Sequence, residues 1–339
     1  MKAKHLVLLL FTFIQSQRLL AQDHSPVGVM ISHGHPKGGW MVSYSFMQMQ
    51  MKGNRSGTDA IADENVFSQY LMSPQSMHMD MHMIMVMYGL SGRLSFMAMA
   101  AYQKSEMKMI MLPGVMHMHH GMEMSSTSGD MDMSSSGIGD TRIWGIYKLM
   151  NAESSSLVFS LGVNLPTGSI DLDGKPPMYE GLRMPYMMQL GSGSVDFLPG
   201  ITYLKNHKKI SWSVQGLSVL RLMDNANSYH YGNEFVVNAW ASYKFGSLFS
   251  TSLRAEAVNS DKISGADKQI YYAMEPDADP KNYGGTRVNA YLGGNFYLSK
   301  GILSDTKIGF EFGAPVFQDV NGIQLGTSYC WTAGITKSF

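Results

Sequence analysis

The chain has 339 residues, with 26 Lys and Arg balanced by 26 Asp and Glu, one cysteine and 31 methionines. That length holds one large or two ordinary domains. A single cysteine, Cys330, excludes an intrachain disulfide and zinc sites built on cysteine pairs, and the lack of a basic excess argues against nucleic acid as a partner.

The first stretch reads as a secretory signal peptide over residues 1–21. Lys2 and Lys4 precede a short apolar core, LVLLLFTFI, and LLAQ offers cleavage after Ala21. Lys2, Lys4 and Arg18 leave with it and no acid does, so 23 bases then face 26 acids, a net charge of −3. Residues 22–38 are expected as an N-terminal periplasmic segment, with His33 and His35 in its SHGHP. After the signal the longest clear apolar run is MIMVMYGL, far short of the roughly 20 residues of a membrane helix. A membrane barrel remains open, because alternation hides its hydrophobicity from composition.

Period-two alternation recurs along the rest of the chain and predicts twelve strands. They fall at 39–51, 79–90, 93–103, 139–149, 156–165, part of 187–203, 210–222, 234–245, 248–258, 287–298, 306–314 and 325–339. In the first, Trp40, Val42, Tyr44 and Phe46 share one face, and Met41, Ser43, Ser45, Met47, Met49 and Met51 share the other. In the third, Leu94, Phe96, Ala98 and Tyr102 oppose Arg93, Ser95, Met97, Met99 and Gln103. The connections sort themselves. LSG, MNAESS, KNHKK, FGS and SKGILSD are short; 52–78, 104–138, 166–186, 223–233, 259–286 and 315–324 are long. Short and long alternate throughout, as periplasmic turns and extracellular loops do in an outer-membrane barrel. The expected fold is therefore all-β: an antiparallel transmembrane β-barrel of about 12 strands over residues 39–339.

Two further segments carry resemblances. The ending CWTAGITKSF, with Tyr329, Trp331, Ala333 and Ile335 alternating before the terminal Phe339, resembles the last strand of outer-membrane barrels, the signal read by the barrel-assembly machinery; Lys337 breaks the alternation. SSSGIGDTRIWGIYKL (134–149) followed by FSLGVNLPTGS (159–169) resembles the outer-membrane transporter family labelled phenol meta-degradation pathway, some of whose members sit beside heavy-metal efflux systems and carry Met- and His-rich loops. The resemblance covers the chain from about Met77 onward. It implies a barrel in the outer membrane of a Gram-negative bacterium, with lipid and the assembly machinery as partners and a metal efflux system as a further one. It does not supply a substrate. The motif also makes local sense: Gly137 and Gly139 permit a bend where a loop re-enters the sheet, Asp140 can accept from backbone amides, and Pro166, Thr167 and Gly168 end a strand.

The chemistry-bearing residues are concentrated. Of the 31 methionines, 22 lie between Met41 and Met133, and seven of the 11 histidines lie between His33 and His120. From Met77 to Met87 the chain reads MHMDMHMIMVM, which puts thioethers on one strand face and His78, Asp80, His82, Ile84 and Val86 on the other. MHMHHGMEM, residues 116–124, forms a second cluster. Thioether and imidazole suit a soft cation, so Cu(I) or Ag(I) is the expected ligand, no cofactor being required. The candidate ligands are Met77, His78, Met79, Met81, His82 and Met83 on the strand, and Met116, His117, Met118, His119, His120, Met122 and Met124 in the loop. Sulfurs of M-x-M stand roughly 7 Å apart along a strand, too far to chelate one ion there, so the strand suits a relay and the loop a tighter site. Packing by a flexible apolar side chain explains strand methionines equally well. Asp171 and Asp173, or EPDADP (275–280), are weaker candidates for Ca²⁺. No enzyme motif stands out: His230 lies near Asn225, Asn227 and Ser228, but no serine sits in a distinctive setting, and phosphate-loop, zinc-protease and dinucleotide fingerprints do not occur.

Three functions follow as expectations. The first is an outer-membrane barrel passing a small solute and linked to soft-metal handling. The alternatives are a channel for small aromatic or hydrophobic compounds and a soluble periplasmic metal-binding β-protein.

Overall fold

Alternation along each strand dictates the architecture of this chain, described here from a computed structural model. The structure describes residues 24–112, 116–119, 122–125, 130–174 and 182–339, with the backbone alone for 116–119, 122–125 and 130. The expected signal peptide lies outside the described residues. Eleven antiparallel strands close a ring: β1 (Trp40–Gly57), β2 (Met72–Gly89), β3 (Leu94–Met111), β4 (Thr141–Asn151), β5 (Ser155–Leu165), β6 (Asp196–His207), β7 (Ile210–Val219), β8 (Glu234–Phe245), β9 (Phe249–Ser260), β10 (Gly285–Leu298) and β11 (Thr306–Ser338). Each pairs with its neighbour in sequence, and β11 returns to β1. Two short strands lie off the ring, Asp59–Ile61 on β1 and Asp130–Ile138 on β3. No helix among the described residues is long and apolar enough to cross a membrane.

β11 is two staves rather than one. Extended, its 33 residues would span about 110 Å, several times the height of a membrane barrel. Residues 306–320 pair with β10, whereas residues 320–338 pair with β1. The two arms face each other, with Phe312 stacked on Tyr329 at 5.8 Å and Gln318 Nε2 donating to Thr327 O at 3.0 Å. They turn at Asn321–Gly322, where Gly322 has φ +63°, the Asn-Gly pair that a tight hairpin favours. Counted by arms, the wall has twelve staves. At the other end Trp40 and Phe339 exchange backbone hydrogen bonds of 3.2 and 2.8 Å, closing the start of β1 on the end of β11.

The structure corrects several strand limits. The first three strands run to Gly57, start at Met72 and run to Met111, well into the expected loops 52–78 and 104–138. Their outward faces there carry Lys52, His78, Asp80, Lys104, Glu106 and Lys108, so the apolar alternation stops although the hydrogen-bonded ladder does not. The expected loop 315–324 is likewise mostly strand, closed by the two-residue turn.

The outer wall is apolar. Tyr44, Phe96, Leu161, Ile201, Val237, Leu253, Leu292 and Phe310 are all exposed there, as a lipid-facing belt requires. The inner faces form the core, in two methionine-rich clusters. At the long-loop end Met51, Met77, Met107, Met109 and Met133 pack with Met184, Met188 and Met274 from the loops. At the short-turn end Met41, Met87, Met97 and Met99 pack with Ile31, Trp144, Ile146 and Leu198.

The lumenal cavity as candidate functional site

Between those clusters the barrel encloses a cavity of about 580 Å³. One wall is sulfur. Strand register sets the methionines of β1, β2 and β3 side by side as rungs: Met47 opposite Met81, Met49 opposite Met79, Met85 opposite Met99, and Met41 opposite Met87, which is opposite Met97. At the outer end Met51, Met77, Met107 and Met133 make one continuous rung across four strands. Residues directly opposite in an antiparallel pair share a face, with Cα atoms roughly 4.5–5.5 Å apart. Facing thioethers are therefore closer than successive ones along a strand. Met47, Met49, Met79, Met81, Met83, Met85 and Met99 border the cavity, while Met77 and Met107 are fully buried.

Away from the cavity lining, the inner faces of β8, β9, β10 and β11 carry a polar, internally paired cluster. Arg254 donates to both carboxylate oxygens of Glu311 at 3.0 and 2.8 Å, to Glu256 at 2.6 Å and to Asn238 at 2.9 Å, and its guanidinium lies 3.8 Å above the Tyr291 ring. Glu256 also accepts from Asn289 and Tyr291, each at 3.0 Å. Paired in this way, the buried charges cost far less than isolated ones.

At the start of β4, bordering the cavity, stands the motif around Asp140. Its carboxylate accepts from the Gly168 amide at 3.0 Å, and from the Ser192 amide, the Ser192 hydroxyl and Asn164 Nδ2, each at 2.8 Å. Thr167 Oγ1 accepts from the Thr141 amide and donates to Gly139 O, both at 2.9 Å. The S-G-x-G-D and L-P-T-G stretches thus staple two loops to the rim. Arg142, two residues on, borders the cavity; Asn164 Oδ1 accepts from its Nε at 3.2 Å, and among the described residues no carboxylate lies within 4.0 Å of it.

The segment before β1 fills the mouth at the short-turn end. Ser242 donates to His24 O, Asn295 to Ser25 O, Gln215 to Met30 O and Ile31 O, and Thr202 to Ile31 O, at 2.8–3.3 Å, while the His35 amide donates to Ser95 Oγ at 3.0 Å. These partners come from five strands, β3, β6, β7, β8 and β10, so the segment crosses the lumen. Residues 26–33 form part of the cavity lining, and the His33 and His35 rings lie 5.2 Å apart.

The strand ligands named from the sequence divide between two faces. Met77, Met79, Met81 and Met83 point inward. His78 and His82 point outward: His78 pairs with Asp80 at 3.0 Å and with Gln50, and His82 Nδ1 meets the Tyr44 hydroxyl at 2.8 Å. Imidazole and thioether therefore do not converge on one ion within this strand. In the loop, Met116–His119 pairs with Met122–Ser125 as a small hairpin, His117 opposite Met124 and Met118 opposite Glu123; the side chains of Met116, His117, Met118, His119, His120, Met122 and Met124 lie outside the described residues. Among the described residues no group of three or more His, Cys, Asp or Glu gathers as a metal site. Asp171 is engaged by Arg183 at 2.9 Å, and His230 by Asp224 at 2.6 Å. Arg142 escaped sequence reading, and the segment expected as periplasmic, residues 22–38, instead crosses the lumen over its described part. An arginine on a strand and a short segment before the first strand carry no periodic signal.

A family model described as "Putative MetA-pathway of phenol degradation" matches residues 114–325. In structure the chain is similar to an outer membrane channel from Pseudomonas putida F1, with a TM-score of 0.61 and 10% identity over 92% of this chain and 100% of that one. It is also similar to the transport unit of the autotransporter AIDA-I from Escherichia coli, with a TM-score of 0.51 and 10% identity over 92% of this chain and 94% of that one. No curated protein sequence matches it significantly. The architecture is that of a Gram-negative outer-membrane barrel, and these neighbours are a channel and a transport unit rather than enzymes.

Proposed function

Because this chain belongs to the family described as "Putative MetA-pathway of phenol degradation", we propose that it is an outer-membrane channel for small solutes whose methionine wall handles a soft monovalent metal, Cu(I) or Ag(I). The observation that carries the metal half is the register of the thioether rungs bordering the cavity. Thioethers are soft donors, and methionine has three rotatable bonds with which to fold its sulfur around an ion. Two sulfurs facing each other across strands can share one ion. The next rung on the same face is roughly 7 Å further along, a spacing suited to several weak sites in series. The Met- and His-rich hairpin at the long-loop end would gather the ion through Met116, His117, Met118, His119, His120, Met122 and Met124, and a metal efflux system is a fitting periplasmic partner. A closed barrel with an apolar exterior gives no support to the soluble β-protein reading.

A second reading rests on Arg142, which borders the cavity and whose one hydrogen bond among the described residues is to Asn164. A small compound with an apolar body and an acidic group would lay the body on the methionine wall and the group on Arg142. Liposomes carrying the barrel separate the two readings. Ag(I) entry is expected to fall severalfold in a Met47→Leu, Met81→Leu variant, which keeps the core volume, while entry of benzoate is unchanged. Equal Ag(I) entry through both proteins removes the metal half and leaves the channel.

A further inference from the structure

One lumenal sulfur is not a thioether. We infer that Cys330, Met49 and Met79 form a three-sulfur site for a single soft monovalent cation, an inference that rests on the soft-metal reading of the lumen. Cys330 lies opposite Met49 on β1, and Met49 lies opposite Met79 on β2. Opposite residues share a face, and Met49 and Met79 border the cavity, so the three sulfurs form a row across three neighbouring staves on the lumen side. Cys330 is 8% exposed and free, and its thiol takes no hydrogen bond among the described residues. Its strand neighbours with the same parity, Thr327 beyond the bulge and Thr332, are polar, so the thiol is not there to complete an apolar cluster. Glu311 lies on the neighbouring arm of β11 and Arg254 and Glu256 on β9, and these charges already pair with one another.

The chemistry differs in kind from that of a methionine rung. A thioether pair binds a cation without cancelling its charge, which is costly away from bulk water. Here the thiol S–H bond breaks and a metal–sulfur bond forms; the proton leaves to lumenal water, and no oxidation state changes. The thiolate cancels the charge of the cation, and the two thioethers complete a neutral trigonal set. The site lies one rung inside the sealed row Met51, Met77 and Met107, at the outer end of the cavity. It is therefore a holding point beside the ladder of weaker rungs.

Silver(I) nitrate titrated into the full barrel in chloride-free detergent solution tests this, in two buffers of different ionisation enthalpy so that proton release is read directly. The parent is expected to bind one Ag(I) tightly with release of one proton, and that ion is expected to shield Cys330 from a maleimide. Met49→Leu and Met79→Leu should each weaken the proton-linked step by about tenfold, and Cys330→Ser should abolish it, leaving only weaker binding without proton release. Heat-modifiable gel mobility shows that each variant is folded. Proton-linked binding of parental strength in both methionine variants would mean that the thiol acts alone, and the three-sulfur site falls. Parental affinity in Cys330→Ser also overturns it while leaving the thioether rungs standing. No Ag(I) binding by the parent overturns both readings.

Discussion

At the scale of single residues, two aspartates show opposite uses of a carboxylate. Asp140 is surrounded by donors from three segments. Asp140→Ala leaves those donors without their acceptor and is expected to cost about 2–4 kcal/mol, seen as a lower temperature for the gel-mobility shift of the folded barrel. Asp277 sits in the loop between β9 and β10, buried, with neither carboxyl oxygen hydrogen-bonded. Burial alone pushes its carboxyl up from 3.8 to about 7. The native loop thus holds a proton that the unfolded chain releases near pH 4, so the contribution of Asp277 to stability is full in acid and is lost as pH rises toward 7. Limited proteolysis within residues 261–284 should be slower at pH 5 than at pH 8, and Asp277→Asn should remove the difference. The histidines teach the same lesson of context. His78 and His82 alternate with methionines in the sequence, and the pleat that puts the sulfurs in the lumen puts both imidazoles outside.

At the scale of the strand, alternation located the wall and misjudged its height. Leu253 and Leu292, opposite each other on β9 and β10, are 65% and 61% exposed on the outer face. Leu253→Arg is expected to cost about 2–4 kcal/mol on insertion, measured as lower folding yield into liposomes with an unchanged far-ultraviolet spectrum in denaturant. Within the lipid belt, where one face had to be apolar, strand limits were legible: 234–245 was read as it stands. Above the belt the outer face turns polar while methionines continue on the inner one, and β1, β2 and β3 run on as backbone ladders without the apolar outer face that marks a strand in the lipid belt. The hairpin in β11 is a related case. Asn321–Gly322 is a turn signal, but its arms carry Gln318, Asp319 and Gln324, which reads as loop.

At the scale of the whole molecule, the barrel is an asymmetric tube, methionine on one side and paired charge on the other, with the N-terminal segment across one mouth. That segment is held by side chains of five strands. Removing residues 24–36 should raise single-channel conductance in planar bilayers, and an unchanged conductance would show that the segment does not limit passage. Parity in the sequence determined much of this molecule: an all-β barrel, its apolar exterior, twelve staves, sorted loops and an inward column of thioethers. All follow from the two-residue repeat of a strand meeting an apolar solvent on one side. Which sulfurs stand beside one another depends on strand register, which pairs residues far apart in the chain: Met49 meets Met79 across 30 positions and Cys330 across 281. The filling of the lumen by residues 24–36 and the exclusion of His78 and His82 from it were likewise tertiary outcomes. No local pattern encodes them, because a strand knows which of its faces is apolar but not what the closed ring will bring opposite the other.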